Sequence, residues 1–274
     1  MEHPAARAGG LLAAVRRRAP LVHAITNFVS APLTANALLA LGAAPVMAHA
    51  VEEVEEMAGR ADALVLNLGT PEPATLEAMR LASRRAAARG IPVVLDPVGA
   101  GATAFRSRAA RRLLAESRPR AVRGNASEIL ALVDSGGARG VDAQNEVEEA
   151  CAAAQRLAGG GISVVAVTGA VDFVTDGRRA VRVGNGHPLL ARVTGTGCVA
   201  TALVAAFLAV EADALLAAAA ALACLGVAGE QAAAKAHGPG TFAAFLLDAL
   251  HGLGPEEIAG RARLTLSPAA GGPP

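Results

Sequence analysis

The chain has 274 residues, of which 53% are hydrophobic and 18% charged, and a formal net charge of +1. That apolar content supplies a sizeable core and excludes a disordered chain, whose signature is low hydrophobicity with high net charge. The near-zero charge offers no general field for nucleic acid or an acidic membrane, and the absence of Trp and Tyr leaves few platforms for stacking bases or sugars.

Arg7–Arg18 has a helical pattern, Leu21–Thr26 reads as a strand, Ala31–Leu41 as a helix and Ala44–Ala48 as extended. Glu52–Ala58 is a short acidic helix. Ala63–Leu68 is a nearly continuous apolar run, typical of a strand covered on both faces. A helix over Glu72–Arg89 has Pro71 and Pro73 near its start and Gly90 just past its end. Ile91–Leu95 is the next buried strand, followed by a helix over Phe105–Glu116, a short extended pair at Ala121–Val122 and a helix over Ser127–Val133. Val141–Leu157 is helical and Ser163–Thr168 a buried strand. Val171–Thr175 and Ala180–Val183 form a hairpin about Asp176-Gly177. One long helical region then runs from the glycine loop at Thr194–Cys198 to about Ala236. Gly238-Pro239-Gly240 breaks it, Thr241–Leu250 is a last helix, and residues 267–274 are a loose tail.

This alternation predicts one α/β domain over residues 1–274, with a mostly parallel central sheet and helices on both faces. Ligands of such sheets bind beyond the carboxyl ends of the strands, here after Thr26, Leu68, Leu95 and Thr168, and at Gly195. Lys235 is the sole lysine, so neither a P-loop lysine nor a kinase-type strand lysine exists. Cys151, Cys198 and Cys224 are odd in number and lack C-x-x-C spacing, which argues against a disulfide scaffold or a zinc site. Met1–Gly10 has no apolar stretch of signal-peptide length. The longest run without polar side chains, Ala214–Gly229, falls short of the ~20 residues that span a bilayer. A cytosolic protein is expected.

Thr194-Gly195-Thr196-Gly197-Cys198 is the most informative segment. Bare backbone N–H groups at a helix start, with glycines allowing close approach, suit a phosphoryl group. A tight turn carrying a small core cysteine is the competing reading. Gly195–Ala200 and Gly99–Ala104 also fit a loose dinucleotide fingerprint, yet neither opens a convincing βαβ unit. Asp96 closes a buried strand, where a carboxylate needs a reason: a magnesium or phosphate site, or a turn. Asn125 and Glu128 either add oxygen ligands beside it or form an N-cap box. Thr168-Gly169 admits a nucleotide or merely makes a turn. His23, Asn27 and His49 are polar groups near the first two strand ends.

Several segments together resemble the hydroxyethylthiazole kinases of thiamine salvage, within the ribokinase-like superfold. They are His23-Ala24-Ile25-Thr26-Asn27-Phe28-Val29, Thr34–Ala40, Gly42–Ala48, Leu66-Asn67-Leu68-Gly69-Thr70 and Leu95-Asp96-Pro97-Val98-Gly99-Ala100. Arg123-Gly124-Asn125-Ala126-Ser127-Glu128, Val167-Thr168-Gly169, Thr194–Cys198 and Gly238–Phe242 continue the series in family order, to about Leu250. The Cys after Gly-Thr-Gly is the sharpest feature, since most ribokinase-like enzymes carry Asp there. The departures are mild: Phe28 stands where Tyr would serve equally, and Pro71 and Pro73 alter the segment after Gly69-Thr70.

The resemblance implies a ribokinase-like fold and transfer of the ATP γ-phosphoryl to the hydroxyl of 4-methyl-5-(2-hydroxyethyl)thiazole, with Mg²⁺. It implies Met47 and Gly195 on the thiazole, with Asn27 and Gly69 lining that pocket. It places Arg123, Thr168, Gly197 and Asn125 on ATP, Asp96 and Glu128 on the metal, and Cys198 at the catalytic-base position. It further implies a homotrimer with sites near subunit contacts, and no nucleic-acid or membrane partner. The alternatives are another ribokinase-like enzyme, such as a pyridoxal or hydroxymethylpyrimidine kinase or an ADP-forming carbohydrate-epimer dehydratase, a non-enzymatic nucleotide-binding scaffold, and a dehydrogenase.

Overall fold

The computed structural model describes residues 4–133 and 143–268. In chain order, α1 (Pro4–Arg18) leads into β1 (Leu21–Ile25), α2 (Ala31–Leu41), β2 (Ala44–Val46) and α3 (Val54–Arg60). Then come β3 (Ala63–Asn67), α4 (Pro73–Arg89), β4 (Val93–Asp96), α5 (Ala104–Ser117) and β5 (Ala121–Asn125). The chain continues through α6 (Ala126–Val133), α7 (Ala143–Gly159), β6 (Val164–Thr168), β7 (Asp172–Thr175) and β8 (Arg179–Val183). A one-turn 3-10 segment (Pro188–Arg192) precedes α8 (Thr196–Leu208), α9 (Ala214–Lys235), α10 (Pro239–Gly252), α11 (Pro255–Arg261) and β9 (Leu264–Pro268).

The nine described strands form one sheet in the order β2-β1-β3-β4-β5-β6-β7-β8-β9. Pairing is parallel from β2 to β6 and antiparallel from β6 to β9. This is the mostly parallel α/β sheet with helices on both faces expected from the sequence. Strand β3 shows why its sequence reads as continuously apolar. Ala63 and Val65 face one core layer and Leu64 and Leu66 the other, because successive strand side chains alternate between faces. The first layer packs the sheet against α1, α2 and α8–α11, and the second against α3–α7. Ala24, Ala63, Ala121 and Ala166 on the sheet and the alanines of α9 let the helices of the first layer approach closely.

Four details differ from expectation. The long helical region is two helices, α8 and α9. Asp213 caps the second through a hydrogen bond from the Leu216 N–H to Oδ1 (3.4 Å). Helix α9 runs 22 residues and is long and apolar enough to cross a membrane, yet nearly all of it is buried inside the fold. Strand β2 stops at Val46, so Met47 and Ala48 lie beyond it. Finally, the C-terminal region adds α11 and β9. Ser267 and Pro268, expected in a loose tail, pair with Ala180 and Arg179. Residues 141 and 142 of the predicted Val141–Leu157 helix and residues 269–274 of the tail lie outside the described residues.

Candidate active site

The parallel strands end together at one edge of the sheet, and their last residues assemble the site. Register places Asn67 beside Asp96. The Asn67 amide donates from Nδ2 to Asp96 Oδ2 (2.9 Å), and Thr201 Oγ1 of α8 donates to the same oxygen (2.7 Å). Arg123 Nη1 of β5 stands 3.8 Å from it. Asp96 is fully buried, and its Oδ1 has no hydrogen-bond partner among the described residues. Burial pushes the Asp96 carboxyl up to about 7. Glu128 adds to that, while Arg123, Thr201 and Asn67 oppose it.

Asn125 and Glu128 form the capping box that their spacing suggested. Glu128 N–H donates to Asn125 Oδ1 (2.9 Å), and Asn125 N–H donates to Glu128 Oε2 (2.9 Å). The other carboxylate oxygen, Oε1, accepts from Gly99 N–H (2.9 Å), which ties the loop after β4 to the start of α6. The cap and the oxygen-rich wall beside Asp96 are therefore the same two residues.

Gly195 starts α8 in a left-handed conformation (φ 89°), where a side chain would be strained and a Cβ would press on Ser30. Cys198 follows within the first helical turn. Its Sγ accepts from Asn27 Nδ2 at 3.4 Å, and that nitrogen also donates to Asn67 Oδ1 (2.8 Å). Two close approaches require glycine here. A Cβ on Gly69 would lie 2.3 Å from Asn27 Nδ2, and one on Gly197 would lie 2.8 Å from Arg123 Nη1. Arg123 also donates from Nη2 to Thr168 Oγ1 at the end of β6.

Two cavities open at this edge. The smaller, about 370 Å³, is walled by Asn27, Gly69, Asp96, Glu128, Gly195 and Cys198, among others. The larger, about 860 Å³, has Thr168, Gly169 and Asp172 at one end and Leu190, Ala200, Leu222 and Leu225 along an apolar slot. Arg123 and Gly197 border both, and Asn125 lines the smaller one. Ten of the eleven residues that the sequence singled out thus meet around two adjoining spaces. Met47 does not. It is half-buried beyond β2, packs against the first core layer and lines neither cavity, and its carbonyl oxygen lies 2.8 Å from His49 Nδ1.

Asn67, Thr201 and Asp172 are site residues that the sequence reading passed over. Asn67 had a signal, as the one amide in an otherwise apolar strand run; Thr201 is likewise a hydroxyl inside an apolar helix. Magnesium prefers few carboxylates together with water and phosphate oxygens. The unpartnered, buried Asp96 Oδ1 beside Glu128 fits that preference. No group of three or more His, Cys, Asp or Glu is gathered among the described residues, so nothing here resembles an all-protein metal cage.

A model of the hydroxyethylthiazole kinase family matches residues 12–256. A hydroxyethylthiazole kinase of Cereibacter sphaeroides is 54% identical over 257 residues, covering 93% of this chain and 97% of the relative. One from Desulfotalea psychrophila is 52% identical over 245 residues, 89% of this chain and 90% of the relative. Among solved structures, the hydroxyethylthiazole kinase of Pyrococcus horikoshii superposes with a TM-score of 0.88 at 46% identity, over 95% of this chain and 99% of that one. A pyridoxal kinase from Staphylococcus aureus, solved with ADP, shares the fold alone: TM-score 0.60 and 16% identity, over 77% of this chain and 87% of that one.

Proposed function

This chain belongs to the hydroxyethylthiazole kinase family, and we propose that it transfers the γ-phosphoryl group of ATP to the side-chain hydroxyl of 4-methyl-5-(2-hydroxyethyl)thiazole. The observation that carries this reading is the pair of cavities meeting at Arg123 and Gly197, with Cys198 on the smaller side. The larger cavity takes ATP, its base in the apolar slot and its phosphates toward Arg123, Thr168, Gly197 and Asn125. The smaller takes the thiazole alcohol between Asn27, Gly69 and Gly195. The hydroxyl oxygen attacks the γ-phosphorus, the bond to the β,γ-bridging oxygen breaks with ADP leaving, and the hydroxyl proton passes to the Cys198 thiolate, giving the thiol. The N–H groups of the first α8 turn and the Arg123 guanidinium steady the charge in transit. Asp96 and Glu128 would hold Mg²⁺, which supplies charge neutralisation of the phosphates.

The surface supports an oligomer with sites near its subunit contacts. Val29 lines the smaller cavity and is 61% exposed, next to Phe28 (69%) and with Leu39 (58%) on α2. A homotrimer would cover this apolar patch, and Met47, which lines neither cavity of its own copy, would contact the thiazole only from a neighbouring copy.

The deciding test is ADP release from Mg-ATP by the purified protein, with the thiazole alcohol, pyridoxal or hydroxymethylpyrimidine. Thiazole-dependent release is expected. Release with another alcohol instead overturns the substrate, and no release with any of them returns the scaffold reading.

A further inference from the structure

Asn27 reaches Cys198 with its amide nitrogen, and the surrounding donors explain why it is not the oxygen. The backbone N–H of Ser30 donates to Asn27 Oδ1 (3.0 Å), so Nδ2 must face Asn67 and the sulfur. The backbone N–H of Gly69 donates to Asn67 Oδ1 (3.0 Å), so Asn67 Nδ2 must face Asp96. Amide orientations follow from such partners. A backbone N–H cannot accept, so these two leave one consistent arrangement. Both amides are buried, Asn27 at 5% exposure and Asn67 at 2%.

We propose that Asn67 is a positioning residue for the phosphoryl transfer, holding the Asn27 amino group against Cys198 Sγ so that the sulfur serves as a hydrogen-bond acceptor. A flipped Asn27 would offer its carbonyl oxygen instead. It would then draw the S–H proton toward itself and occupy the sulfur as a donor. Asn67 and the Ser30 N–H together oppose the flip: Ser30 needs the Asn27 oxygen, and Asn67, its own oxygen fixed by Gly69, needs the Asn27 N–H and holds it beside the sulfur. The effect reaches Cys198 through an amide; Asn67 itself lines neither cavity. The assignment rests on Cys198 being the group that receives the hydroxyl proton.

The test is a kinetic cycle with Mg-ATP and the thiazole alcohol, on Asn67→Ala, Cys198→Ala and the double variant. Asn67→Ala is expected to lower kcat about tenfold with the KM for ATP within about twofold of wild type. In the Cys198→Ala background the same change should cost less than about twofold, since the sulfur it serves is gone. An equal loss in both backgrounds, or a raised Mg²⁺ requirement in Asn67→Ala, would place its action on Asp96 and overturn the assignment. Should Asn67→Ala not fold, Asn27→Asp runs through the same cycle. It keeps the volume and the Ser30 bond but turns an oxygen to the sulfur, and it should lose at least as much kcat in the wild-type background alone. A slow Cys198→Ala with additive partners sinks the Asn67 assignment and spares the proposed reaction. A Cys198→Ala as fast as wild type removes both the proton acceptor and the assignment built on it.

Discussion

A sulfur is a modest base, and the proton-acceptor role proposed for Cys198 asks for little base strength. Phosphoryl transfer draws its acceleration chiefly from alignment and from fixed charge around the γ-phosphate. Cys198→Ala is therefore expected to lower kcat by about 10- to 100-fold and leave the KM for ATP within about twofold, in steady-state assays. Cys198→Asp should stay active, because a carboxylate also accepts a proton. A folded, nucleotide-binding but inactive Asp variant would contradict the proton-acceptor role. Asp172, in the wall of the larger cavity, answers to pH instead. Burial pushes its carboxyl from 3.8 up to about 6, against the Gly169 N–H and Arg123. The folded chain thus keeps a proton that the unfolded chain has already released between those values. The stabilisation from Asp172 is full below about pH 4, declines toward pH 6 and is lost above it. Asp172→Asn should flatten that decline and be more stable than wild type by about 1 kcal/mol near pH 7.5, a figure reduced for partial solvent access. Urea melts at about pH 4.5 and about pH 7.5 compare the two.

At the scale of elements, the site depends on how helices begin. Helix α6 begins with a box whose acid doubles as cavity wall, and α8 with a glycine pressed on Ser30. Helix α9 begins at Asp213, which also pairs with Arg179 of β8 (Nη1 to Oδ2, 3.0 Å). Asp213→Ala should lower the stability by about 1 kcal/mol, read as a lower thermal midpoint, with turnover at low temperature kept. A change below the error of the melt would remove Asp213 as an anchor of α9. These starts also mark what a linear sequence discloses. Asn-x-x-Glu announces the α6 cap because both partners are local. The contact of Asn67 with Asp96 spans 29 positions and exists only once β3 and β4 are in register. The turn between α8 and α9 was hidden by alanine, whose high helix propensity carries the pattern through it. The strand ends that frame the two cavities were legible, since buried parallel strands are apolar up to the residue that leaves the sheet. Met47 was read as a pocket residue by likeness, and within one copy its place beyond β2 keeps it from either cavity.

For the whole molecule, the two faces of the sheet divide the work. The layer built on α8 and α9 is packed with alanine and leucine, and the opposite layer carries α6 and its cap. Phe28, Val29 and Leu39 are exposed apolar side chains, and Val29 also lines the smaller cavity. Leu39→Glu is expected to shift the proposed trimer toward monomers in sedimentation velocity and to raise the KM for the thiazole alcohol more than that for ATP. An unchanged sedimentation coefficient would leave these side chains without a partner copy.

Arg123 and Gly197 are the party wall between two rooms. Any shift that one occupant imposes on the guanidinium is felt next door, and equilibrium makes the exchange even-handed. In the proposed arrangement, whatever factor the alcohol adds to nucleotide affinity, the nucleotide returns to the alcohol. A single arginine against a single glycine would then make the two ligands tenants of one lease.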